Sequence, residues 1–181
     1  MWISGASMKY QNWLDPAQAA GTRSVGGIKI APRLGDANIN PTTGLATDYL
    51  NHFNEAIMLL DLASSYPDCR AEFLAWRPRS YREHFAASGF ESRDLAIAAY
   101  DTADIALRAR LDGLAAAMTA MLEAMRAVMQ SDLPPDSADA IAVRALGELK
   151  SLVTRAGAVI TGAADTDIPQ TPQTAVDGLM R

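Results

Sequence analysis

Apolar residues recur along the second half of the chain at alternating steps of four and three. Leu107, Leu111, Leu114, Met118, Met121, Met125 and Val128 make one such run, and Ala142, Leu146, Leu149, Val153, Ala156, Ile160 and Ala163 make another. That rhythm keeps side chains on one stripe of an α-helix. Between the runs, Ser131-Asp132-Leu133-Pro134-Pro135-Asp136 cannot continue a helix. The pattern predicts two long helices, over about 104–130 and 137–162, folded into an antiparallel hairpin. At a rise of 1.5 Å per residue each spans about 40 Å.

The same spacing appears earlier in Ala46, Leu50, Phe53, Ile57, Leu60 and Ser64, which predicts a helix over about 43–65 that Pro67 ends. Short helices follow within 68–100. One runs to Trp76 and is stopped by Pro78, because a residue before proline avoids the α region. A second opens at Ser80 with Glu83 three residues on, the signature of a capping box, and closes at Gly89. A third starts at Ser92. Asp101, Thr102 and Asp104 favour helix starts over helix interiors, so a break is expected before the first long helix.

Residues 1–41 hold many of the chain's glycines and prolines and no sustained period. They read as an irregular N-terminal arm, with one helical turn near 15–20 and one extended piece near 25–31. Residues 164–181 read as a flexible tail. The fold expected is all-α: a single helical-bundle domain over 42–163, built on the long hairpin.

Composition narrows the function classes. At 181 residues with 49% hydrophobic and 20% charged residues, the chain can bury one good core. A net charge of −5 argues against nucleic acid or an anionic membrane as partner, since both want a basic face. Lys9, Arg23, Lys29 and Arg33 outnumber Asp15 and Asp36 in the arm, which favours weak attraction to the acidic body. Cys69 is the one cysteine, so no internal disulfide and no cysteine-based zinc site can form. A reducing, cytoplasmic setting fits. The first residues lack the pattern of a secretory signal, and no apolar stretch approaches the roughly 20 residues of a bilayer span. GxxxxGK[ST], GxGxxG and GxSxG are all absent, which removes the common nucleotide-binding and hydrolase elbows.

Four features are candidates for chemistry or recognition. His52 lies four residues after Asp48 and three before Glu55, so a helix sets both carboxylates beside the imidazole. Carboxylates raise an imidazole pKa and orient its tautomer, which suits an acid–base or phospho-accepting histidine. Helical histidine-phosphotransfer domains offer a fold-level analogy. The basic and glycine residues usual after such a histidine are replaced here by Phe53, Asn54, Glu55, Ala56 and Ile57. The plainer reading is a histidine at the edge of the buried face. Second, His84 and Glu83 lie on another helix, but the Glu-x-x-His pairs of di-iron bundles are missing: Tyr49 and Tyr81 occupy the positions three before each histidine. No metal and no cofactor are expected.

Third, Arg77, Arg79, Ser80 and Arg82 cluster at a helix start, where free backbone N–H groups favour an anion or an acidic partner. An equal number of acidic neighbours makes a solvated ion-pair face the simpler reading. Trp76 is expected to plug the bundle end. Fourth, Met118, Met121, Met125 and Met129 lie along one long helix. Methionine suits adaptable interfaces as well as cores, so these four are candidate interface residues. Taken together, the pattern favours a non-enzymatic interaction or regulatory protein that self-associates as a homodimer or meets a protein partner. The alternative is a phosphotransfer-type or small-ligand-binding bundle centred on His52.

Overall fold

The structure, a computed structural model, describes residues 31–163, with side chains from residue 34. Expectations for residues 1–30 and for the tail at 164–181 lie outside the described residues. Among the described residues seven helices follow in order: α1 (Ala31–Asp36), α2 (Tyr49–Leu62), α3 (Pro67–Ala75), α4 (Tyr81–Ala87), α5 (Arg93–Thr102), α6 (Ile105–Gln130) and α7 (Pro135–Thr161). Among the described residues there is no strand, only an isolated antiparallel bridge between Ile39 and Ala46. The fold is an all-α helical bundle.

The long helices form where the spacing predicts them, within two residues at each end. Asp104 caps α6 by accepting from the N–H groups of Ala106 (2.8 Å) and Leu107 (3.1 Å), which relieves donors that have no partner inside the helix. Gly162 ends α7 with φ +71°, the left-handed cap that a side chain resists. The capping box at Ser80 and Glu83 is complete, with the Glu83 carboxylate accepting from the Ser80 N–H at 2.8 Å.

α6 and α7 share the broadest contact, α2 packs along α7, α3 and α4 pack on α2, and α5 packs on α4. Side-chain links set the direction of α2 against α7. Thr43 donates to the Ile160 carbonyl at 2.6 Å, while Lys150 pairs with Asp61 at 3.7 Å. The chain entering α2 therefore meets the end of α7, and the end of α2 meets its middle.

Three differences from the sequence pattern have physical causes. First, α2 starts at Tyr49 rather than near residue 43. The Asn40 side chain accepts from the N–H groups of Thr42 and Thr43, Gly44 takes φ +71°, and the Ala46 N–H donates to the Tyr81 hydroxyl at 2.9 Å. These bonds claim the backbone groups that a helix over 43–48 would need. Second, the core line of α6 is Leu111, Ala115, Met118, Leu122 and Met125, all buried. Leu107, Leu114, Met121 and Val128, expected in that stripe, are half-buried on its flank. Third, residues 31–41 hold α1 and bury Ala37 and Ile39 in the core.

Candidate functional site

The sequence places His52 on α2 one position before Phe53, so the two rings point about 100° apart. Phe53 enters the core and His52 faces the junction of α3 and α4. There the chain leaves α3 at Trp76 in an extended conformation and reaches α4 through Arg77-Pro78-Arg79-Ser80. Proline bars the residue before it from the α region, so this linker crosses the end of α2 and lays the Trp76 indole on His52. The rings stack with centroids 4.7 Å apart and planes at 27°. His84, from α4, stands 5.8 Å from His52 and 5.7 Å from the Tyr49 ring. Tyr49 donates its hydroxyl to the Arg79 carbonyl at 3.0 Å, which pins the linker. Tyr81 stacks at 4.4 Å on Tyr100, whose hydroxyl donates to the Asp112 carboxylate. A ladder of rings thus runs from Trp76 across α2 and α4 to α5.

His52 is 5% exposed, and its electrostatics reverse the expectation from sequence. Burial, then the charges of His84 and Arg79, push its imidazole down from 6.5 to about 4, against an opposing hydrogen bond to the Arg77 backbone. It is therefore neutral at pH 7. Glu55 is exposed. Asp48 acts on His84 rather than on His52. Its carboxyl is itself raised by burial, opposed by its own backbone N–H and by His84. His84 is half-buried and lowered by burial and by Arg79, while the Asp48 carboxylate and a hydrogen bond to the Asp48 backbone pull the other way. The structure thus brings the two histidines together, a proximity no local pattern in the sequence reveals, and breaks the His52–Asp48–Glu55 grouping.

The arginine corner does not converge on one point. Arg77 turns back to the carbonyls of Leu74 (2.9 Å) and Trp76 (2.8 Å), closing α3. Arg82 pairs with Asp101 on α5. Ser80 is committed to Glu83 through both backbone and hydroxyl. Of the three guanidiniums, Arg79 acts on the histidines. Met118 and Met125 are inside the core of the single chain, so of the four methionines proposed for an interface only Met121 and Met129, both half-buried, can meet a partner. Cys69 is a free, half-buried cysteine on α3.

Among the described residues no group of three or more His, Cys, Asp or Glu side chains is arranged to hold a metal ion. No helix among them is long and apolar enough to cross a membrane. A shallow depression lined by Asp36, Glu91, Ser92, Asp94 and Leu95 shares no residue with the aromatic cluster. No protein family, no curated protein and no solved structure matches the chain.

Proposed function

We propose that the chain is a non-enzymatic helical interaction protein that pairs with a second copy of itself along one flank of α6. The supporting observation is an asymmetry about the buried line of that helix. At 100° per residue, Leu114, Met121 and Val128 lie to one side of the line, and Ala117, Ala124 and Ala120 lie beyond them. The first three are half-buried and the alanines are exposed. The opposite side carries the charged residues Arg108, Asp112, Glu123 and Arg126, and there Asp112 accepts from Tyr100 of α5. One flank of α6 is therefore apolar over about three turns, with its alanines exposed and its larger side chains half-buried. The half-buried residues recur every seventh position, the repeat of helices that wind around each other, and the alanines let a second helix approach closely. A phosphotransfer role for His52 has no comparable support, because at 5% exposure the imidazole leaves no open approach for a group as large as a phosphoryl.

Light scattering coupled to size exclusion tests the reading. The wild-type chain should elute at twice its 19.3 kDa mass. Ala124→Arg adds bulk and charge at an exposed position without touching the core, and should elute as a monomer with unchanged helicity. A wild-type monomer at high micromolar concentration ends the proposal.

A further inference from the structure

Three ring nitrogens of the aromatic cluster are buried without a hydrogen-bond partner: Nε2 of His52, Nε1 of Trp76 and Nδ1 of His84. The rest of each imidazole is committed. His52 bonds the Arg77 backbone and His84 the Asp48 backbone, in both cases favouring the protonated ring. A backbone group that favours protonation is a carbonyl, and a carbonyl only accepts. A neutral ring that turns its one N–H to that carbonyl keeps its other nitrogen as a bare lone pair, and Nε2 of His52 and Nδ1 of His84 are the nitrogens without a partner. An imidazole with one N–H held by a backbone carbonyl and a free lone pair on the far side is prepared as a metal ligand.

The spacing agrees. Two imidazoles joined through one ion, with metal–nitrogen bonds of about 2 Å and a ring radius of about 1 Å on each side, have centres about 6 Å apart. The observed separation is 5.8 Å. The kind of ion follows from what is missing and what is near. No third histidine, cysteine or carboxylate completes a larger set among the described residues, so the ion must accept two ligands. Arg79 already places positive charge beside both rings, and a divalent cation would meet more repulsion and a larger desolvation cost than a monovalent one. Monovalent copper satisfies both conditions: imidazole is among its ligands, and coordination by two donors is common for monovalent ions with a filled d shell. His84, half-buried, leaves a side open to solvent.

We propose that Nε2 of His52 and Nδ1 of His84 form a two-coordinate site for monovalent copper beneath Trp76. The two histidines are the only ones in the chain, so imidazole 15N resonances report the site directly. Silver(I) serves as the air-stable probe, added to the full chain carrying Cys69→Ser so that the thiol cannot compete. One equivalent should shift one nitrogen of each ring, and His52→Gln or His84→Gln should each weaken binding by more than about tenfold. Unmoved imidazole resonances at one equivalent overturn the proposal and leave a bridging water as the partner of these nitrogens. Unchanged stoichiometric binding in the double histidine variant also overturns it and assigns the ion to methionine. Should the variants fail to fold, X-ray absorption on the copper(I)-loaded chain decides: two nitrogen neighbours support the site, and sulfur neighbours refute it.

Discussion

Acidification should unfold the metal-free protein through His52 before most of its surface carboxylates matter. The folded chain holds this imidazole neutral down to about pH 4, whereas an unfolded chain protonates it near 6.5. Because the folded pKa is the lower one, the unfolded state binds the proton more readily. Stability is complete above about pH 6.5, falls as the pH drops toward 4, and falls no further on this account below that. The gap of roughly 2.5 pH units at about 1.4 kcal/mol per unit is about 3 kcal/mol, a large share of the 5–15 kcal/mol typical of a domain. His84, lowered by burial, acts in the same direction, and Asp48, raised by burial, acts against it. A comparison with His52→Gln removes most of their effect, since both groups remain in the variant and the glutamine amide can still donate to the Arg77 carbonyl.

The assay is urea unfolding followed by far-UV circular dichroism across the range from neutral pH to about pH 4. At neutral pH the variant should be the less stable protein, having lost the stack on Trp76. As the pH falls, wild type should lose about 3 kcal/mol that the variant keeps, so the curves should converge or cross. A stability difference that stays constant to within about 0.5 kcal/mol over the whole range would refute the reasoning. It would mean that His52 charges freely in the folded state and that Trp76 does not seal it.

Further substitutions test the packing that builds the site. Tyr81→Phe removes the acceptor of the buried Ala46 N–H and should cost about 1–3 kcal/mol by thermal or urea unfolding; no change would mean that water reaches that N–H. Leu122→Ala, at a fully buried position of α6, should cost about 2–5 kcal/mol, while a loss well below 1 kcal/mol would displace Leu122 from the core line. Gly44→Ala should lower the melting temperature, because φ is +71° and an added Cβ would stand 3.0 Å from the Ala99 carbonyl. Gly147→Ala should raise it by the helix-propensity gain of about 1 kcal/mol, since an added Cβ there meets nothing within 4 Å.

The stretches that could be read from sequence are those where one local rule decides. Steps of three and four place α6 and α7, proline and aspartate clusters mark their ends, and Ser80 with Glu83 opens α4 as the capping rule requires. Local rules leave two choices undetermined. The apolar face of α6 is wide enough to centre on Leu114 and Met121 or on Ala115 and Leu122, and only the helices packed against it select the second. The stretch from 43 to 48 carries helical spacing, yet its polar groups are claimed by Ile160 and Tyr81, which are 117 and 35 residues away. The turn residues Asn40, Pro41 and Gly44 were the one local signal against a helix there.

The later start of α2 bears directly on the histidine site. Because the chain does not become helical until Tyr49, the Ala46 N–H remains available to the Tyr81 hydroxyl, and that bond ties α4 to the entry of α2. Tyr49, at the first turn, ties the Arg79 carbonyl to the same end. Between these two fixed points the linker has five residues, Trp76 to Ser80, stiffened by Pro78. It has little freedom to hold the indole anywhere but over His52, or the backbone of Arg77 anywhere but against its ring. The depth of His52 is thus a consequence of two tyrosine hydroxyls and one proline, none of them adjacent to it in sequence. Tyr49→Phe should therefore loosen the linker without emptying the core, and the sign to look for is an upward move of the His52 pKa from about 4 toward 6.5 in imidazole NMR titrations. A His52 titration that stays in place would show that Trp76 holds the site closed without the Arg79 anchor.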